Sequence, residues 1–282
     1  MPNRQGVQQL TPQDHWENMA TQAASVITDA WGDSQVAVVL GSGWSNAVDV
    51  LGDAANRTMQ VAALPGFSVP VVRGHAGTIR AVPTPHGQVL VFLGRTHYFE
   101  NRNAFSAAHA VRVAIAAGCH TVVLTNAAGG INPTYAIGQP VLIADHMNMT
   151  FASAFNRPPR HDTTYVYDRQ LREAIRAEAP HLQTGVYAQF LDPQHASPAD
   201  IAMARAAGAD LAGRSTAIEA TVARGLGARV VGLSLVTNAA AGASVAALDH
   251  ADMLRVGEGA AHEVLSLVRQ HLPLLADRVR SR

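Results

Sequence analysis

Short β-branched runs alternate with helical segments along almost the whole chain, and this alternation limits the fold more than any other feature. The runs at 35–40, 88–93, 121–125, 140–144, 185–191 and 229–235 are rich in Val, Leu and Thr and too short for stable helices. Between them, apolar residues recur at helical spacing over 15–31, 104–117, 168–178, 198–207, 216–225 and 249–272. In the first of these segments Trp16, Met19, Ala23, Val26, Ile27 and Ala30 share a face. Thr216, with Glu219 three residues on, reads as a capping box. Strands separated by helices predict an α/β fold: a three-layer α/β/α arrangement around a mixed, mostly parallel central sheet. A chain of 282 residues, 48% hydrophobic, can bury one large core. No repeat or composition break divides it, so residues 1–282 read as a single domain, with 1–13 as a flexible N-terminal tail. Segment 151–166, with Pro158, Pro159 and Arg160, reads as a mobile loop.

Charge and cysteine content narrow the function classes. The formal net charge is zero, which gives no electrostatic case for nucleic acid or an anionic membrane. Cys119 is the single cysteine, so no internal disulfide forms, in keeping with a reducing cytoplasm. Its own reading is a small buried apolar residue. The first residues lack the apolar stretch of a signal peptide. Residues 230–248 carry no charge, but they include Thr237, Asn238, Gly242 and Ser244. They fit a buried strand and a small-residue loop better than a membrane span.

Ligand sites in parallel α/β folds gather at the carboxyl ends of strands. Four stretches fall there: GlySerGly at 41–43, GlyArgThrHisTyrPheGlu at 94–100, LeuThrAsnAlaAlaGlyGly at 124–130 and SerLeuValThrAsn at 234–238. The small residues at 126–130 predict a turn whose backbone N–H groups approach an anion. Phosphate recognition needs such donors, hydroxyls and a bidentate cation. Ser42, between glycines, and Ser215, just before a helix, supply hydroxyls. Arg95 and His97 share a face if their strand continues. GlySerGlyTrpSerAsn also imitates the start of a dinucleotide fingerprint, but Asn46 stands where Gly or Ala is needed. A nicotinamide oxidoreductase is therefore the weaker alternative.

In combination, LeuGlySerGlyTrp, GlyHisAlaGly (74–77), GlyArgThrHis, ThrAsnAlaAlaGlyGly, AspHisMetAsn (145–148) and SerLeuValThrAsn resemble the trimeric purine nucleoside phosphorylases over about residues 35–265. The resemblance implies cleavage of purine nucleosides by inorganic phosphate to free base and α-ribose 1-phosphate. Phosphate would be the co-substrate, with no metal and no other cofactor, in a cytoplasmic homotrimer. Phosphate would be held by Ser42, Arg95, His97, the Ala127 backbone and Ser215, with His75 nearby. Asn238 would bond purine N7, Tyr187 would flank the nucleoside, and His250 would meet the ribose 5′-hydroxyl.

The resemblance breaks at the nucleoside end. The family's Gly-Pro-x-aromatic-Glu-Thr reads AspProGlnHisAlaSer at 192–197. His195 replaces the aromatic residue, and Ala196 replaces the glutamate that accepts from 6-oxopurines. Arg214 stands where a methionine lies under the ribose, and Phe99 where a tyrosine meets the 3′-hydroxyl. Arg214 could pair with Asp192 or meet an acidic group on an unusual nucleoside. Three readings follow: an ordinary enzyme in which other groups fill these roles, a phosphorylase for an aminopurine or a modified nucleoside, or an inactive binding homologue.

Overall fold

The structure, a computed structural model, describes residues 10–41, 44–53, 57–68, 72, 75–191, 196–241 and 250–278. Its strands are β1 (Val36–Val39), β2 (Thr58–Gln60), β3 (Thr78–Thr84), β4 (Gly87–Leu93), β5 (Thr121–Gly130), β6 (Pro140–Asn148), β7 (Gln183–Gln189), β8 (Leu211–Gly213) and β9 (Arg229–Ala239). The helices are α1 (Pro12–Trp31), α2 (Tyr98–Asn101), α3 (Ala104–Ala107), α4 (His109–Ala116), α5 (Arg169–Glu178), α6 (Pro198–Ala206), α7 (Ala217–Gly225), α8 (His250–Gln270) and α9 (Leu272–Ala276).

Alternation along the strands builds two cores. In β1, Ala37 and Val39 face a core with Ala23 and Ile27 of α1 and Val111 of α4. Val36 and Val38 face the other way, among Leu171 of α5 and Val264 and Leu265 of α8. A strand buried on both faces must be apolar throughout, which is why β1 reads ValAlaValVal. Helices therefore cover both faces of the sheet, as the alternation predicts.

The sheet order is β2-β3-β4-β1-β5-β8-β7-β6-β9, and β9 also pairs with β5. That last pairing closes β5, β8, β7, β6 and β9 into a barrel-like ring. Parallel pairs are β1–β4, β1–β5, β5–β9, β6–β7 and β7–β8. The antiparallel pairs are β2–β3, β3–β4, β5–β8 and β6–β9. The sheet is mixed, with parallel pairs in a narrow majority.

Two expectations change. The N-terminal helix begins at Pro12, where Thr11 caps it through Asp14. A tail reaching residue 13 is therefore too long. The stretch 126–130 is also not a turn, because β5 runs on to Gly130 in register with β9. Its small residues serve close strand approach: a Cβ on Gly129 would lie 3.1 Å from Asn238 Nδ2, and one on Gly130 would lie 3.2 Å from Val236 Cγ1.

Candidate active site

One cavity collects most of the predicted residues. Gly41, His75, Arg95, His97, Phe99, Ala127, Ala196, Arg214, Ser215 and Asn238 all line it. They come from the segments that follow β1, β4, β7 and β8, from the segment before β3, and from β5 and β9 themselves. Ser42 and His195 lie outside the described residues, as does the side chain of His250.

Arg95 is buried, and its guanidinium is clamped. Nη1 donates to Glu219 Oε2 at 3.0 Å and to Oε1 at 3.3 Å. Nη2 donates to the carbonyls of Val39, at 3.1 Å, and Thr125. The two carbonyls use both protons of Nη2. Nε–H is not used by any of these partners, and Arg95 lines the cavity. Arg95 is therefore not a cation reaching freely into solvent; a buried carboxylate compensates its charge.

The Thr125 carbonyl also shows how β5 faces the site. β1 pairs with β5 only as far as Leu124, and β8 pairs with it only from Gly129. Between them one edge of β5 is open, and Thr125 turns its carbonyl to it. Backbone groups two apart in an extended strand point the same way, so the Ala127 N–H faces that edge too. Ala127 is the one residue of β5 that is not fully buried. The Ala127 backbone is thus available to an anion from a strand edge rather than from a turn.

Two histidines stand beside Arg95. Its backbone N–H donates to His75 Nδ1 at 2.7 Å, which leaves the proton of a neutral ring on Nε2. His75 and His97 have ring centroids 5.0 Å apart, and Phe99 stacks on His97 at 5.0 Å. Glu100 Oε1 accepts from the His97 backbone at 2.7 Å and from its ring Nδ1 at 2.9 Å. A carboxylate only accepts, so Nδ1 carries a proton and the ring is fixed in orientation. Gly94 is required here: its φ is +110°, and a Cβ would lie 2.6 Å from that of His75.

Ser215 precedes α7, as expected for an anion-facing hydroxyl. The adjoining Thr216 has φ 85°, a strained value for a β-branched residue. It is held there by its N–H donating to Glu219 Oε2 at 2.7 Å and by Asn126 Nδ2 donating to its hydroxyl at 2.9 Å. Ser234 in turn donates to Asn126 Oδ1 at 2.8 Å.

Across the cavity, Asn238 Nδ2 donates to the Ala239 carbonyl at 2.8 Å, while Oδ1 accepts from the Thr237 hydroxyl at 2.9 Å. A carbonyl can only accept, so the amide's orientation is fixed and its second N–H remains for a ligand. Tyr187 departs from expectation. It is fully buried behind Gly213 and Ser215, and its hydroxyl accepts from the Ser215 N–H at 3.3 Å. Burial pushes its pKa up to about 12. Tyr187 supports the wall, and Phe190, three residues on, lines the cavity together with Phe99.

Comparison with known proteins gives this geometry its family. A model of the phosphorylase superfamily matches residues 35–272. A purine nucleoside phosphorylase of Mycobacterium tuberculosis is 44% identical over 259 residues, covering 91% of this chain and 96% of that protein. The chain belongs to the purine nucleoside phosphorylases. Another member, from Cellulomonas sp, is 40% identical over 257 residues, covering 89% of this chain and 91% of that protein. In fold the chain is similar to the purine nucleoside phosphorylase of Schistosoma mansoni, solved in complex with adenosine. Their TM-score is 0.79 at 24% sequence identity, over 93% of this chain and 98% of that one.

Part of the cavity lining in this phosphorylase is apolar. Ala196, Ala212, Ala240, Ala241, Ile201 and Phe190 contribute to it, and Arg214 lines the cavity as well. Among the described lining residues there is no carboxylate. Ala196 falls one residue before Ser197, the N-cap of α6, so the loop that would present a base acceptor ends in a short apolar side chain.

Proposed function

We propose that this cavity carries out phosphate-dependent cleavage of the N-glycosidic bond of a purine nucleoside, giving free base and α-ribose 1-phosphate. The observation that carries the reading is the meeting of anion donors and a base-facing amide in one cavity. Arg95, His97, Ser215, Ala127 and Asn238 all line it. Bound phosphate stabilises the oxocarbenium-like sugar as the C1′–N9 bond breaks, and one of its oxygens then bonds C1′. The departing purine takes the electron pair, and the Asn238 amide donates to N7 as charge develops there. Most of the acceleration comes from positioning and fixed dipoles. Phosphate is the co-substrate, and the chemistry calls on no metal or further cofactor.

The base preference differs from that of an ordinary 6-oxopurine enzyme in this reading. Without a carboxylate at Ala196, the N1–H and 2-amino group of guanine lose a charged acceptor. Losing one such partner removes a discrimination of about 1000-fold or more. Ala196→Glu should raise kcat/KM for inosine relative to adenosine. The ratio of the two specificity constants in wild type and variant tests this. A wild type that already favours inosine by about 1000-fold would overturn it.

The assembly in this reading is a homotrimer acting in the cytoplasm, and light scattering that gives a monomer mass would contradict the trimer. No helix among the described residues is long and apolar enough to cross a membrane.

A further inference from the structure

We propose that Glu219 is a positioning residue that trades phosphate affinity for the placement of Arg95. The inference rests on the phosphorolysis reading above. Glu219 sits in the core at the start of α7, outside the cavity lining, with its side chain 3% exposed against 1% for Arg95. Its Oε2 accepts from two donors at once, Arg95 Nη1 at 3.0 Å and the Thr216 N–H at 2.7 Å. One carboxylate therefore fixes the guanidinium and the strained turn that carries Ser215.

These contacts have two opposed consequences. A guanidinium held by Glu219 and by the carbonyls of Val39 and Thr125 cannot rotate to follow a ground-state anion. Its placement at the cavity wall stays fixed, which favours the transition state over the ground state. The carboxylate also offsets the guanidinium charge at short range, which weakens attraction for phosphate in a buried setting. Glutamine at 219 can place its single oxygen where Oε2 lies and keep the cap on Thr216. It then turns an amide N–H₂ toward Arg95 in place of Oε1 and removes the negative charge.

The test is steady-state kinetics on wild type and Glu219→Gln with phosphate varied, alongside calorimetric binding of inorganic phosphate and circular dichroism. For a folded Glu219→Gln variant, the phosphate KM and Kd should fall about five- to tenfold, the scale of a partly screened close charge. Its kcat should fall by a similar factor, because the guanidinium keeps one contact to residue 219 where it had two and is held less firmly. Opposite movements of affinity and turnover are not produced by a merely structural role, which would raise KM as kcat falls. A phosphate Kd that is unchanged or raised in the folded variant would overturn the inference. Should Glu219→Gln not fold, Glu219→Asp keeps the charge but draws it a methylene away, and a smaller fall in Kd is expected. Failure of both variants to fold would make Glu219 a residue of the fold alone and also overturn it. Wild type without phosphate-dependent turnover would instead remove the reading on which the inference rests.

Discussion

Arg95→Ala should abolish measurable phosphorolysis and also lower the stability of the fold by about 3–5 kcal/mol, the usual cost of leaving a buried carboxylate without its partner. Both effects come from one side chain. Arg95 borders the cavity, and the same guanidinium neutralises Glu219 in the core. The effects separate in a double variant. Arg95→Ala with Glu219→Ala removes both charges, so much of the stability should return while activity stays lost. Some deficit remains, because the Thr216 N–H loses its acceptor and the threonine its hold at φ 85°. Denaturant midpoints and phosphate titrations on the two variants measure this. An Arg95→Ala protein with an unchanged phosphate KM would remove Arg95 from the anion site.

Asn238→Ala should lower kcat about 100- to 1000-fold, the scale for removing one donor aimed at developing charge. The nucleoside KM should move much less, because N7 gains charge mainly as the glycosidic bond breaks. The structure supports a fixed donor. Asn238 Nδ2 is directed by the Ala239 carbonyl, and Oδ1 is held by Thr237. Gly129 leaves the space beside it, since a Cβ there would crowd Nδ2 at 3.1 Å. Steady-state constants for wild type and variant decide the point. A variant changed only in KM would make the amide a ground-state positioning group.

The sequence shows the layered frame because periodicity is a local signal. The apolar runs of β1, β4, β5, β6, β7 and β9 and the amphipathic helices announce themselves residue by residue. What it hides depends on distant partners. β8 has three residues, LeuAlaGly, and exists because β5 and β7 offer it edges. β3 carries Pro83, which weakens any strand reading, yet it forms a hairpin with β4 in which Pro83 lies opposite Gln88. The closure of β9 onto β5 has no sequence signature of its own, so AlaAlaGlyGly reads as a turn when it is a strand packed too closely for larger side chains.

The site follows the same division. Arg95, His97, Ser215 and Asn238 stand out because their types and neighbours carry chemistry. Glu100 and Glu219 do not, although each sits three residues after a residue of note. Glu219 reads as half of a capping box with Thr216, and that reading is right but incomplete. Its second partner, Arg95, lies 124 residues away in sequence and is brought there by the fold. Tyr187 shows the opposite case: an aromatic side chain on a strand of the right sheet is buried in the wall and does not line the cavity.

The central claim is that phosphate, not water, cleaves the nucleoside in this cavity. The direct measurement is incubation of the wild-type protein with a panel of inosine, guanosine, adenosine and 5′-modified nucleosides, with and without inorganic phosphate, and assay of free base and ribose 1-phosphate. At least one nucleoside should yield both products in equal amounts, only when phosphate is present. Free ribose in place of ribose 1-phosphate, or no turnover of any nucleoside with phosphate, would contradict it.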